Sequence, residues 1–347
     1  MKQLEWLVCR DPVHIGGADS DSRGNRNPIY RLPDGTPVIP GSSLKGALRE
    51  HAEEYRVSEE YRVSVDSWFG KEVSRETKDN SGKTENTDND YEETQTTPGA
   101  IALGWAFPLW FPVNILGHGN WWITCSGWLK RYHQLNGDSS FAFTCERDDV
   151  YWMQEKSSKP LYFRWLKISE IKQYTASQDL PIITSEMDKS RCLIVSDDRI
   201  KLFVDMGLVR QPRVNLKSRE EYWNDLEKNE SNENSEENNS LVKNLFSVEA
   251  LPPGAIFYFT WTTRNSRYAQ DFTAEKARNN FAIDTDRWVK FLRDEHYVGG
   301  LWSIGYGRVS IFQEEKTTTK NDNKSDKQLN KKSANSPQLN PPPKIIK

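Results

Sequence analysis

Apolar runs alternate with polar stretches along the chain, and this pattern predicts the secondary structure. Strands are expected where aromatic and β-branched residues are densest, over residues 4–9, 99–113, 121–125 and 254–263. Apolar residues at helical spacing predict helices, which are residues 42–54, 126–135 and 284–296. A Gly-rich segment then leads into a last strand. This order predicts an α+β fold, namely a ferredoxin-like (RRM-like) βαββαβ domain that carries a large insertion.

Polar stretches interrupt the apolar pattern at residues 71–97, 219–240 and 313–347. They consist mostly of Asn, Ser, Thr, Glu and Lys, which bury too little apolar surface to offset the chain entropy lost on folding. We therefore expect one domain over residues 1–312, with disordered inserts at 71–97 and 219–240. An insertion region is expected over about residues 135–217, and a disordered Lys-rich tail over 313–347.

Charge and composition narrow the class of protein. The three polar stretches carry −4, −6 and +4, so the rest of a chain whose total is −3 carries +3. A mildly basic ordered part permits a polyanion partner without requiring one. The four cysteines are far apart and form no Cys-x-x-Cys or Cys–His cluster, which argues against a structural zinc site. No apolar run reaches membrane-spanning length and the first residues are not those of a signal peptide, so we expect a cytoplasmic protein without membrane contact.

Two glycine-rich motifs could let backbone N–H groups approach a sugar-phosphate chain. One is the pair Gly16-Gly17, which follows His14; a plain surface turn is its alternative interpretation. The other runs to Arg308 and places two aromatic side chains among its glycines, as a loop that follows RNA and stacks a base would do. Its glycines are Gly299, Gly300, Gly305 and Gly307.

A helix start with hydroxyls and cations is the third motif. Ser42 and Ser43 can cap the helix, and Lys45 and Arg49 follow one turn apart. Free N–H groups at the helix start, together with these side chains, would form a phosphate clamp. A capped amphipathic helix with a solvated basic face explains the same residues.

Together the three motifs resemble the RAMP superfamily of CRISPR proteins. The resemblance is carried by His14-Ile-Gly-Gly17, Pro28-Ile-Tyr-Arg31, the block from Gly35 to Arg49, and Trp68-Phe-Gly70. Within the superfamily the chain is most similar to the repeating backbone subunit of type III-B effector complexes. Supporting segments are Phe111-Pro-Val113, Trp122-Ile-Thr-Cys125, Leu245 to Pro252, and the closing Gly-rich loop.

The resemblance implies both a fold and partners. It implies a ferredoxin-like palm and a hairpin thumb, which would lie in the insertion region at about residues 135–217. It also implies copies or paralogues stacked along a guide RNA beside other CRISPR effector subunits. Complementary target RNA would pair with that guide. Lys45 and Arg49 would contact guide phosphates, and the Gly299–Arg308 loop would support the same strand. Such contacts recognise charge and shape rather than sequence.

Cleavage of target RNA stays open from the sequence. Many such subunits cut with a divalent cation such as Mg²⁺ and rely on an aspartate two residues before the P-I-x-R element, where this chain has Arg26. Arginine neither accepts a proton at neutral pH nor binds a cation. Asp19 and Asp21 could replace that aspartate, His14 could act as acid or base, and Glu249 is a further carboxylate near the family's site. A RAMP nuclease that matures the guide precursor is a third interpretation.

Overall fold

A ten-stranded sheet organises the protein in a computed structural model. The structure describes residues 3–16, 26–54, 65–71, 97–138, 140–153, 159–175, 180–182, 185–230, 241–263 and 285–313. Most of the predicted insert 71–97 and the predicted tail lie outside the described residues. The chain divides into two units, residues 1–314 and 315–347, and the fold given below is that of the first.

The strands and helices follow one another along the chain with these bounds. The strands are β1 (Gln3–Cys9), β2 (Arg26–Asn27), β3 (Gly70–Lys71), β4 (Thr97–Pro98), β5 (Ile101–Leu103), β6 (Phe107–Ile115), β7 (Gly119–Cys125), β8 (Val150–Trp152), β9 (Leu161–Phe163), β10 (Leu166–Ile168), β11 (Lys172–Gln173), β12 (Cys192–Val195), β13 (Val209–Leu216), β14 (Val242–Ala250), β15 (Ile256–Thr263), β16 (Glu295–Tyr297) and β17 (Arg308–Phe312). The helices are α1 (Gly41–Glu54), α2 (Ser126–Leu135), α3 (Asp197–Gly207), α4 (Arg219–Glu230) and α5 (Thr285–Leu292).

The centre of the sheet is antiparallel and is built around the first strand. Strands β6, β15, β1, β17 and β16 lie side by side in that order, and each neighbouring pair is antiparallel. Trp6 of β1 lies opposite Tyr258 of β15 and Phe312 of β17. Four predicted strands, β1, β6, β7 and β15, and predicted helix α2 are confirmed.

Residues 150–195 extend this sheet at one side, within the region for which the sequence predicted a thumb or insertion. β12 pairs in parallel with β7, β8 pairs with β12, and β11 pairs with β8. All four residues of β12 are buried, which fits a strand covered on both faces. Part of this region therefore belongs to the main sheet.

The main sheet separates two apolar cores. Alternate residues of β1 point to opposite faces, so Leu7 enters the first core and Trp6 the second. Helices α1, α3 and α5 cover the first core, and α2 covers the second. No helix within the described ranges is long and apolar enough to cross a membrane.

The long hairpin β13–β14 stands apart from the main sheet and pairs with the short strand β2. Between its strands lies α4, in the first half of the stretch 219–240 that the sequence predicted to be disordered. Ser218 explains the helix, because its hydroxyl accepts a bond from the Glu221 N–H at 3.1 Å while the Glu221 carboxylate accepts one from the Ser218 N–H at 3.0 Å. This reciprocal capping box starts the helix.

Two predictions about helix ends are wrong. The helix predicted over 284–296 ends at Leu292, and His296 lies in β16, paired with Val309. Helix α1 begins at Gly41, so Ser42 and Ser43 lie in its first turn rather than at its N-cap.

Candidate functional site

The segment between β1 and α1, called the first loop, meets the Gly-rich loop (residues 299–308) at the edge of the central sheet. The N–H of Gly300 donates to the carbonyl oxygen of His14 at 2.9 Å, and the two residues form an isolated β-bridge. Gly299 has φ +87°, and a Cβ there would collide with the same carbonyl oxygen. Glycine is therefore required at position 299 for the two loops to touch. Gly16 continues the contact surface, is exposed and bridges Ile29.

His14 has a defined tautomer at this junction. Its Nδ1 lies 2.6 Å from the carbonyl oxygen of Glu249, which can only accept, so Nδ1 carries the proton. In the neutral ring Nε2 is then an acceptor, and it lies on the side of Gly16 and Asn27. The side chain is largely buried, with 5% of the residue exposed.

A network of four charged side chains holds hairpin β13–β14 against α3 and the first loop. Arg31 pairs with Asp205 at 2.7 Å and with Glu249 at 3.2 Å. Arg210 pairs with Glu249 at 3.1 Å and donates to the backbone oxygen of Asp205 at 2.8 Å. Two guanidinium groups thus engage the Glu249 carboxylate, which favours a structural rather than a catalytic role for it.

The rest of the Gly-rich loop is fixed by side-chain contacts. Tyr306 is buried and its hydroxyl donates to Gln211 of β13, while Arg213 lies 5.3 Å from the centre of the Tyr306 ring. Arg308 pairs with Asp11 at 2.8 Å and with Glu295 at 3.4 Å. The predicted RNA contact Arg308 therefore already has two carboxylate partners.

Gly305 and Gly307 also have positive φ, at +86° and +98°. A Cβ added at position 307 would lie 2.9 Å from the carbonyl oxygen of Val298. The two ends of the loop can therefore approach each other only with glycine at that position.

Helix α1 turns a different face toward the Gly-rich loop from the one that was predicted. Its residues Ala47, Glu50, His51 and Glu54 line a groove of about 410 Å³ with Tyr297, Gly299, Trp302 and Ser303. At 100° per residue, Lys45 and Arg49 lie roughly half a turn around the helix from that face. The structure does not bring these two cations into the groove; Arg49 pairs with Glu53 at 3.2 Å. Ser42 is exposed in the first turn and Ser43 is half-buried.

A histidine pair that sequence reasoning missed lies beneath this groove. The Nδ1 atoms of His51 and His296 are 2.7 Å apart, and His296 Nε2 lies 3.0 Å from the carbonyl oxygen of Phe291. Burial lowers the pKa of His296 to about 4 and also lowers the pKa of His51. Because the two histidines are 245 positions apart in the sequence, no local pattern could have predicted the contact.

The remaining residues of the predicted site are only partly described. Gly17, Asp19 and Asp21 lie outside the described residues. The backbone of Arg26 pairs in parallel with Ser247 of β14. No group of three or more His, Cys, Asp and Glu side chains that could hold a metal ion occurs in the ranges given above.

Comparison with known proteins gives a family and a fold. The sequence profile of the RAMP superfamily matches residues 6–310. None of the curated proteins matches the sequence.

Solved structures share the fold at low sequence identity. One is a chain of the type III-B Cmr-β complex bound to cognate target RNA, at a TM-score of 0.57 and 17% identity over 90% of this chain and 96% of that one. A crystal structure of Cmr4 gives a TM-score of 0.55 and 19% identity, over 90% of this chain and 98% of that one. The structure of oligomeric Cmr4 from Pyrococcus furiosus gives a TM-score of 0.54 and 18% identity, over 89% of this chain and 96% of that one.

Proposed function

This chain belongs to the RAMP superfamily, and on that premise we propose that it is the guide-RNA-binding backbone subunit of a type III CRISPR effector complex. Neighbouring copies or paralogues and other effector subunits are its protein partners, and target RNA pairs with the bound guide. The structural neighbours support this assignment, because one belongs to a type III-B complex bound to target RNA and another is an oligomeric Cmr4.

The observation that carries the proposal is the junction of the first loop with the Gly-rich loop. Gly299 and Gly300 contact the backbone of His14, and Gly16 is exposed beside them. Backbone this open lets a sugar-phosphate chain approach without interference from side chains. Arg31 and Arg210 add positive charge next to it, although each already pairs with a carboxylate.

We also propose that the central sheet is a ferredoxin-like palm. In the order β6-β15-β1-β17, the first and third strands of a βαββαβ unit lie side by side at the centre, and all neighbours are antiparallel. Helices α1 and α5 are the two crossovers, and both cover the same face. This is the split βαβ arrangement of such folds.

The thumb is assigned to hairpin β13–β14. It is the long hairpin of the described chain, and Val214, Leu216 and Leu245 are exposed on it. The region predicted at about residues 135–217 then contributes only its last strand to the thumb.

Salt-dependent RNA affinity tests the proposal. The purified chain, alone or with sibling subunits, should bind single-stranded guide RNA, and log K should fall linearly with log salt concentration. Lys45 lies on the face of α1 turned away from the groove, so Lys45→Gln should reduce the magnitude of that slope by about 0.7, the value for one phosphate contact on a single strand, only if the guide also passes along that face. Lys130→Gln, which removes an exposed lysine from α2 on the other face of the sheet, should not change it. Absence of salt-sensitive RNA affinity in the wild-type protein would exclude the function.

Cleavage of target RNA is a second candidate, favoured by His14. Its Nε2 acceptor could take the proton of a target 2′-hydroxyl as that oxygen attacks the adjacent phosphorus. The bond from phosphorus to the 5′ oxygen would break and that oxygen would take a proton from water, which gives a 2′,3′-cyclic phosphate and a 5′-hydroxyl end. Arg26 at the usual aspartate position argues against it. We expect His14→Ala, Asp19→Ala or Asp21→Ala to abolish evenly spaced cuts in a guide-complementary RNA if the assembled complex makes them. If the wild-type complex leaves the target RNA intact, RNA binding is the only function that stands. If the isolated chain cuts repeat RNA, its function is guide maturation.

A further inference from the structure

The short hairpin β9–β10 exposes aromatic and basic side chains that have no role in the RNA contacts proposed above. Trp165 is 65% exposed and Tyr162 is 44% exposed. Arg164 and Lys167 are also exposed, and Lys167 lies directly opposite Tyr162 across the hairpin. Leaving a tryptophan in solvent forgoes the free energy of its burial, so this tip needs an explanation.

The tip stands on a fixed base. Phe163 is fully buried and its ring packs edge-on against Phe203 of α3, with centroids 5.1 Å apart. Leu161 and Ile168 are buried in the same core. The N–H of Leu116, at the end of β6, donates to the carbonyl oxygen of Tyr162 at 2.9 Å. A hairpin anchored in this way presents its outer side chains at fixed positions.

The turn itself breaks a local rule. Phe163 pairs with Leu166, so the turn consists of two residues, Arg164 and Trp165. Arg164 has φ +46°, in the left-handed region where two-residue turns normally use Asn, Asp or Gly. Strain of this kind is retained at sites where a side chain is needed for a purpose other than folding.

The positive charge of this hairpin indicates that its binding partner is a polyanion. Residues 159–168 include Lys159, Arg164 and Lys167 and no acidic residue. Among the described residues, neither Arg164 nor Lys167 forms an ion pair. Proteins that bind single-stranded RNA without sequence preference use cations beside exposed aromatic rings. The cations pair with phosphates and the rings stack on bases.

The hairpin and the glycine-loop junction are both connected to helix α3. Phe203 of α3 supports the base of the hairpin, and Asp205, two residues later on the same helix, pairs with Arg31 beside His14. We propose that the tip of β9–β10 is a second RNA contact, in which Trp165 stacks on a base and Arg164 and Lys167 hold the flanking phosphates of the same single strand. This inference rests on the proposed RNA-binding function.

The test compares hairpin variants in the full chain with an unstructured single-stranded RNA, an oligouridylate of about 30 nucleotides, by fluorescence anisotropy over a salt series. Trp165→Ala should weaken binding about fivefold or more, since stacking contributes about 1–3 kcal/mol per base. Trp165→Phe should restore most of the affinity, because a ring is kept. Arg164→Gln with Lys167→Gln should reduce the magnitude of the salt slope by about 1.4, and Lys130→Gln should leave it unchanged.

The outcomes separate this proposal from the proposed function. If the wild-type chain binds no RNA, both fail. If it binds and Trp165→Ala and the double variant bind equally well, only the hairpin contact is wrong. Variants that bind RNA normally but no longer assemble with sibling subunits would make the tip a protein interface and overturn the proposal. Thermal unfolding at the wild-type temperature confirms that each variant is folded.

Discussion

At the scale of single residues, the contact of Gly299 with His14 decides whether the two glycine-rich loops can touch. The backbone at Gly299 has φ +87°, and the carbonyl oxygen of His14 occupies the space that a side chain would need. Both a conformational and a steric penalty therefore apply to any other residue at this position.

We expect Gly299→Ala to lower the free energy of unfolding by about 2–3 kcal/mol and to weaken guide-RNA binding. Gly46→Ala is the matched control, because Gly46 lies within helix α1 with nothing within 4 Å of its added Cβ. That variant should gain about 0.5–1 kcal/mol from higher helix propensity. Urea unfolding measures both; equal stability of Gly299→Ala and the wild type would contradict the described junction.

The buried His296 should make stability depend on pH. Its folded pKa of about 4 lies below the ordinary value of 6.5, so the unfolded chain binds more protons between these pH values. Stability should therefore fall on acidification from pH 6.5 to 4, by up to about 3 kcal/mol from this residue.

His296→Gln keeps a donor for the Phe291 carbonyl and removes the titration. The difference in unfolding free energy between wild type and variant should shrink steadily as the pH falls from 6.5 to about 4. His118→Gln, at an exposed position, is the control and should show no such trend. A pH-independent difference for His296→Gln would show that His296 does not titrate as described.

At the scale of elements, α4 shows how a short motif overrides composition. Its sequence is polar and acidic, which predicted disorder, yet Ser218 and Glu221 cap it reciprocally. Lys243 of β14 also pairs with Glu221 at 2.6 Å and ties the helix to the hairpin. The first-turn acids Glu220 and Glu221 interact favourably with the helix dipole.

Ser218→Ala should therefore loosen α4 without unfolding the domain. We expect the amides of the first turn of α4 to exchange about fivefold faster, as loss of about 1 kcal/mol of capping implies. Glu220→Gln changes a first-turn acid outside the capping box and should have a smaller effect. Hydrogen exchange read by mass spectrometry makes the comparison, and unchanged protection in Ser218→Ala would contradict the cap.

The elements differ in how well the sequence predicted them. β1, α2 and β15 have strong local patterns, and the structure has them where they were expected. β8, β11 and β12 are two to four residues long and owe their pairing to partners distant in sequence, so no local pattern assigned them to the main sheet.

The residues of the candidate site also differ in how well the sequence predicted them. Its glycine motifs were visible in the sequence because glycine at turns has a local signature. The Arg31–Glu249 pair and the orientation of Lys45 depend on tertiary packing, which the sequence does not display. The capping box, by contrast, was a readable signal in Ser-Arg-Glu-Glu and was overlooked in favour of composition.

At the scale of the whole molecule, the ion pairs around Arg31 join parts of the chain that are far apart. They connect the first loop, α3 and the hairpin β13–β14. Arg31 and Glu249 are 19% and 17% exposed, so solvent screens their pairing only partly.

A double-mutant cycle with Arg31→Gln and Glu249→Gln should give a coupling energy of about 1–2 kcal/mol. The exposed pair Arg49–Glu53, four residues apart on α1, should give only about 0.3–0.5 kcal/mol. Equal coupling in the two cycles, measured by urea unfolding, would show that the network does not hold the hairpin.

The central position of β1 has a consequence for synthesis on the ribosome. Its two neighbours, β15 and β17, begin about 250 and 300 residues later in the chain. At roughly 5–20 residues per second, translation leaves the apolar strand β1 without either neighbour for about 12–50 seconds. A nascent chain, or one cut short before residue 299, therefore has no finished glycine-loop junction. Only chains translated past Gly300 can form that junction.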